Sequence, residues 1–318
     1  MSTVFLHRFL GIVVLMGMIF AGTTALAAQW GPQRLSFVGG PAGGTFEQVA
    51  KTVVARINDH QSEATLNYSL TGGSVENLRR LNKGQADLGI VYATDLFLGR
   101  QGRLPYDERT YDKVYTLASF YFAPAQLIVK ADGQIESVED LIGKRVAVGN
   151  IGSGTAATAQ RFLTALDLWD QIKPEFIGYQ DAISALGHGY VDAMWVLAGI
   201  PNSAVTHASA SYPIRMLDLS TTAEQSGFFI SYPFYALFTI PAGTYPGVDV
   251  AIKTFADQAL WVAGEKVAPE LVKNLMVALE ETVTDAAQQL KFETPPPSIA
   301  PMHPGAEAFW TSSSSGSQ

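Results

Sequence analysis

One order of elements occurs twice in this 318-residue chain, and that repetition constrains the fold more than any other feature. In the first copy, Leu35–Val38 reads as a short strand running into the loop Gly39-Gly40-Pro41-Ala42-Gly43-Gly44. Phe46, Val49, Ala50, Val53, Val54 and Ile57 follow at helical spacing, so a helix opens at Thr45. A second strand, Ala64–Leu70, reaches the turn Thr71-Gly72-Gly73. A helix then runs from Ser74 through Leu78 and Leu81 until Gly84 stops it, and Asp87–Val91 is the third strand. The second copy has strand Arg145–Val148, the turn Gly149-Asn150-Ile151-Gly152-Ser153-Gly154 and a helix from Thr155. Strand Glu175–Tyr179, a short helix Asp181–Leu186 and strand Asp192–Val196 complete it. Gly84-Gln85-Ala86-Asp87 matches Gly189-Tyr190-Val191-Asp192 at a constant offset. Such alternation predicts an α/β chain with mostly parallel strands and helices on the sheet faces. Two copies without a long linker predict two facing lobes. Phe122–Val129 is expected to cross from the first to the second, and Pro233–Phe238 to cross back. Helices are expected around Ala251–Val262 and Glu270–Thr284, then an irregular Pro-rich segment, Pro295–Pro304.

The Gly loops indicate what such lobes can hold. Ligands of parallel α/β sheets sit beyond the carboxyl ends of the strands, where the helices begin. A helix start presents unpaired N–H groups and a partial positive charge, which suits an anion. Glycine in the preceding loop (Gly43, Gly44, Gly73, Gly154) lets a ligand approach the backbone. Thr45, Ser74, Ser153 and Thr155 stand at capping places, where a hydroxyl serves the helix or a carboxylate. Phe46, Tyr92 and Trp195 are candidate apolar walls or plain core residues. Gln180 is a candidate polar contact.

Other chemistries fit less well. Gly149–Thr155 has the glycine spacing of a phosphate loop, but Thr155 stands where the lysine is needed. There is no G-x-S-x-G. His60, His188, His207 and His303 lack metal-ligand spacing, and Asp87 and Asp192 read as turn residues. No general base accompanies the Gly loops, so a binding protein without catalysis, cofactor or metal is expected. With 47% hydrophobic residues the chain can bury a core, and a net charge of −8 without a basic tract argues against nucleic acid. Arg8, the apolar run Phe9–Ala21 and the ending Ala25-Leu26-Ala27 read as a signal peptide over residues 1–27. A periplasmic location follows, and the absence of cysteine suits an oxidising compartment.

Gly43-Gly44-Thr45-Phe46, the block Thr71–Leu78 with Ser74 and Val75, Gly149–Thr155, Ile240–Gly247 and Met302-His303-Pro304-Gly305-Ala306 together resemble the TAXI family of TRAP-transporter solute receptors. The resemblance runs in order over nearly the whole chain after the leader. It implies a type II periplasmic-binding-protein fold with two lobes, an interlobe ligand cleft and hinge strands. It further implies delivery of a small organic anion to TRAP permease subunits, and ligand contacts at Thr45, Ser74, Ser153 and Thr155. Sensing for a signalling partner without transport is the alternative. Lobe 1 is expected at residues 29–122 plus 236–310 and lobe 2 at 123–235. A flexible tail is expected at 311–318, and the protein is expected to be a monomer. Phe46-Glu47-Gln48 and Tyr92-Ala93 depart from the family pattern, replacing polar groups with aromatic surface. A ligand larger or more apolar than glutamate is therefore expected.

Overall fold

The computed structural model of the protein describes residues 32–61, 63–105, 107–282 and 298–315. The signal-peptide reading lies outside them. The first copy folds as β1 (Gln33–Val38), α1 (Thr45–His60), β2 (Ala64–Ser69), α2 (Ser74–Asn82) and β3 (Leu88–Tyr92), followed by α3 (Ala93–Arg100). The second folds as β5 (Arg145–Ala147), α4 (Gly154–Ala165), β6 (Lys173–Glu175), α5 (Tyr179–His188) and β7 (Ala193–Leu197). Between them lies β4 (Val114–Lys130), and after them come α6 (Ser203–Ser211), β8 (Ile214–Met216), β9 (Ala236–Ile240) and β10 (Ile252–Gly264). Helices α9 (Pro269–Thr282) and α10 (Pro304–Ser315) close the chain, after two short helices, α7 (Ser220–Gln225) and α8 (Phe228–Ser231).

The strands are ordered β2-β1-β3-β10-β4-β7-β5-β6, with β8 added to β4 and β9 to β10. Strands within each copy pair in parallel, as β1 with β2 and β3, and β5 with β6 and β7. β10 and β4 join the copies through antiparallel ladders. This is the two-lobed α/β fold of periplasmic binding proteins, with β4 and β10 as its crossing strands. β3 ends with Tyr92 opposite Ala259 of β10, and β7 ends with Leu197 opposite Ala125 of β4. Because Ala259 and Ala256 pair with Tyr121 and Pro124, both strand ends meet near the middle of the long ladder. Each lobe thus aims its helix starts at the other.

The repeated Gly and Asp have one task in both lobes. Gly84 and Gly189 turn the chain after α2 and α5 at φ 66° and 75°, a left-handed conformation that glycine adopts without strain. Asp87 Oδ2 accepts the N–H of Ser36 on β1 at 2.8 Å, and Asp192 Oδ2 accepts the N–H of Arg145 on β5 at 2.9 Å. Each aspartate thereby ties the third strand of its lobe to the first, which is more than a turn requires.

Several expectations need correction. Ala251–Val262 is not helical, since β10 occupies Ile252–Gly264. Its alternation is lost because nearly all of its residues are buried at the centre of the sheet, and the apolar positions imitate a helix. The return crossing is β10, whereas Pro233–Phe238 only leads into β9, which pairs with β10. Ile177–Tyr179 is not strand, because β6 ends at Glu175 and Tyr179 opens α5. Residues 311–315, expected in a fraying tail, continue α10. The core runs through both lobes. Phe162 of α4 packs on Trp195 and Phe255 at centroid distances of 5.5 and 5.2 Å, and Phe120 stacks on Trp261 at 5.9 Å.

Candidate functional site

Four helix starts converge between the lobes. Gly44-Thr45-Phe46 and Gly73-Ser74 come from one lobe, and Ser153-Gly154-Thr155 and Tyr179 from the other. Together with Pro41, Gly72, Tyr92 and Leu197 they line a single cavity of about 20 Å³. Among the described residues no partner is recorded for the N–H groups of Thr45, Phe46, Ser74, Val75, Gly154 and Thr155. These are the orphan donors that every helix start leaves.

The hydroxyls act differently from simple caps. Thr45 and Ser74 are the first helical residues, and the capping positions before them are glycines. Ser74 Oγ accepts the N–H of Tyr92 at 2.8 Å, and Ser153 Oγ, a true cap, accepts that of Ala156 at 3.0 Å. Each oxygen already accepts one bond, and each hydroxyl proton is left to donate. Thr155 Oγ1 and Tyr179 Oη lie 2.6 Å apart, and Tyr179 donates to the Leu197 carbonyl at 2.8 Å, so Thr155 donates to Tyr179. Burial pushes the Tyr179 phenol up to about 12 and that of Tyr92 well above its usual range, so both remain neutral donors. Tyr92 also donates to the Leu197 carbonyl, at 2.8 Å, and this bond crosses the cleft. The unused capacity around the cavity is therefore mostly donor, which suits an anion or another ligand rich in acceptors.

Two further contacts close the rim. Glu76 donates its N–H to the Gly152 carbonyl at 3.0 Å, and Ser203 Oγ donates to the Gly43 carbonyl at 3.2 Å. A Cβ on Gly43 would stand 2.8 Å from Gln180 Nε2, so Gly43 and Gln180 touch across the rim rather than inside the cavity. Val75 faces a larger chamber next to the cavity. Phe46 and Tyr92 form an aromatic wall with ring centroids 4.7 Å apart. Trp195 lies away from the cavity: it is 1% exposed and packs on Phe162 and Phe255, because it sits inside β7 rather than at its end.

The residues missed in the sequence follow the repeat. Tyr92 and Leu197 are 105 positions apart, as Gly84 and Gly189 are, and so are Ser74 and Tyr179. Carrying that offset from Gly73-Ser74 to Gly178-Tyr179 would have found the fourth helix start. Nothing in the repeat points to the buried charges behind the cavity. Arg161 of α4 donates to Asp95 of α3 at 2.7 Å and to the Tyr235 hydroxyl at 3.1 Å, linking the lobes. Asp95 Oδ2 and Asp257 Oδ2 are buried without a hydrogen-bond partner among the described residues. Burial, reinforced by the charge of Asp95, pushes the Asp257 carboxyl up to about 7. Among the described residues no group of three or more His, Cys, Asp or Glu could hold a metal ion, and no helix is long and apolar enough to cross a membrane.

Solved structures share this architecture at low identity. A putative L-cystine ABC transporter from Listeria monocytogenes is 14% identical, with a TM-score of 0.51, over 82% of this chain and 100% of that one. A periplasmic transporter is also 14% identical with a TM-score of 0.51, over 89% and 93%. A Xanthomonas citri protein bound to ATP is 11% identical, with a TM-score of 0.50, over 90% and 100%. At these identities the likeness concerns the fold alone. Residues 37–312 match the NMT1-like family over most of the sequence, and the chain belongs to that family.

Proposed function

We propose that this protein is an extracytoplasmic solute receptor that closes its lobes over a small organic anion and delivers it to a TRAP-type permease. The supporting observation is the convergence of helix starts from both lobes, with Ser74 and Ser153 left as donors, on one interlobe cavity. A volume of about 20 Å³ is roughly the room of one water, so the lobes must part at Tyr92–Leu197 to admit a solute. The aromatic walls Phe46 and Tyr92 favour a ligand with an apolar part. In this reading the protein is a periplasmic monomer exported by residues 1–27, with β4 and β10 crossing between its lobes, and it needs neither cofactor nor catalysis.

Native mass spectrometry of protein purified from its host tests the reading. The expected result is a stoichiometric carboxylate released on unfolding, whose rebinding raises the melting temperature. If the host protein carries no small molecule, and a panel of carboxylates at saturating concentration leaves the melt unchanged, the receptor reading fails.

A further inference from the structure

A second chamber adjoins the cavity and shares Ser153 with it. Its volume, about 580 Å³, falls in the range of small-molecule sites, whereas the inner cavity does not. Val75 and Arg79 of α2, together with Asp107 and Arg109, form the wall contributed by one lobe. Ile151, Ala156, Ala157 and Phe176 form most of the wall contributed by the other.

The two walls differ in chemistry. Asp107 is buried and receives Arg109 Nε and Nη2 at 2.8 and 2.7 Å and Arg79 Nε at 3.1 Å. The bonds from Arg109, and after them the Tyr111 hydroxyl, hold this carboxyl far below its usual range. One carboxylate thus faces two guanidinium groups, and one positive charge is left over at the chamber wall. The opposite wall is mostly apolar, with Ser153 and Gln160 as its polar members, and its large side chains are open to solvent: Ile151 is 77% exposed and Phe176 40%. Large apolar side chains exposed around a concave site mark a binding surface.

We infer that this outer chamber binds an amphiphilic anion, a carboxylate or sulfonate carrying an alkyl or aryl body. The anionic head lies toward Arg79 and Arg109, and the body covers Ile151 and Phe176. Since both lobes contribute walls, an occupant favours the closed form. The chamber shares Ser153 with the inner cavity, but Thr45, Ser74 and Thr155 line the inner cavity alone, so a change at Ser74 separates the two sites.

Isothermal titration of the full chain with octanoate, octan-1-ol and acetate tests this. Octanoate should bind at least about tenfold more tightly than octan-1-ol, and acetate should show no heat. Arg109→Gln should weaken octanoate about tenfold, Arg109→Lys should weaken it less, and Phe176→Ser should weaken it about fivefold. Ser74→Ala, in the inner cavity, should leave octanoate affinity within about twofold. Equal binding of octan-1-ol, wild-type affinity in both Arg109→Gln and Phe176→Ser, or loss of octanoate binding in Ser74→Ala would each overturn the assignment. If Arg109→Gln melts early, Arg109→Lys and Phe176→Ser still decide the matter.

Discussion

Asp257 offers a quantitative test of the buried charges behind the cleft. It sits on β10, accepts the N–H groups of Thr94 and Gln258 at 3.2 and 2.8 Å, and has a second oxygen without a partner. The titratable groups around it are Asp95 and Arg161, which face each other across the lobes, and the neutral Tyr235 and Tyr92. Folding raises its pKa from 3.8 to about 7. Between these values the unfolded chain has released the proton and the native chain still holds it. Stability is therefore full below about pH 4 and falls as the pH rises toward 7. At about 1.4 kcal/mol per unit the loss totals roughly 4 kcal/mol, of which about 3 falls between pH 5 and 8. Asp257→Asn keeps an acceptor for the two N–H groups and removes the titration. In urea unfolding, the wild type should lose about 3 kcal/mol more than the variant between pH 5 and 8. Parallel pH dependence of the two proteins would show that Asp257 is charged or solvated in the native state, and the picture of a buried neutral carboxyl would be wrong.

Three other perturbations probe the closed form. Tyr92→Phe removes a bond across the cleft while Tyr179 still serves the Leu197 carbonyl. It should cost about 1 kcal/mol of closure, a roughly fivefold shift toward open that small-angle scattering reads as a larger radius of gyration. Gly154→Ala places a Cβ against the Tyr92 ring and 2.8 Å from Asp95 Oδ2, so circular dichroism should stay native while scattering shows lobes held apart. Arg161→Met strands Asp95 in the core, and urea unfolding at pH 7 should show a loss of about 3–5 kcal/mol.

The local alternation of strand and helix was legible because each Gly loop precedes an amphipathic helix. The starts of α1 and α2 were placed correctly for that reason. The central strand was not. Ile252, Phe255, Ala259 and Val262 satisfy a helical stripe, and only pairing with β3, β4 and β9, all distant in sequence, makes them a strand. Among the proposed site residues, those at helix starts were brought together because backbone geometry alone sets their direction. Trp195 stays open between wall and core in the sequence, because an aromatic residue two positions before a strand end reads the same in either place; the structure puts it in the core. The Arg161–Asp95 pair was invisible. Its members are 66 residues apart, and their meeting depends on how one lobe packs on the other.

The ladder between β4 and β10 also determines how the molecule can be divided. The two lobes are threaded by the same two strands, and their pairing extends from Ala256–Pro124 to Gly264–Val114. Severing the chain between the halves would strip each fragment of a partner strand and uncover a long apolar edge of the kind that templates aggregation. A lobe is therefore not a unit of folding here, and residues far apart in the sequence must be present before either half can bury its sheet.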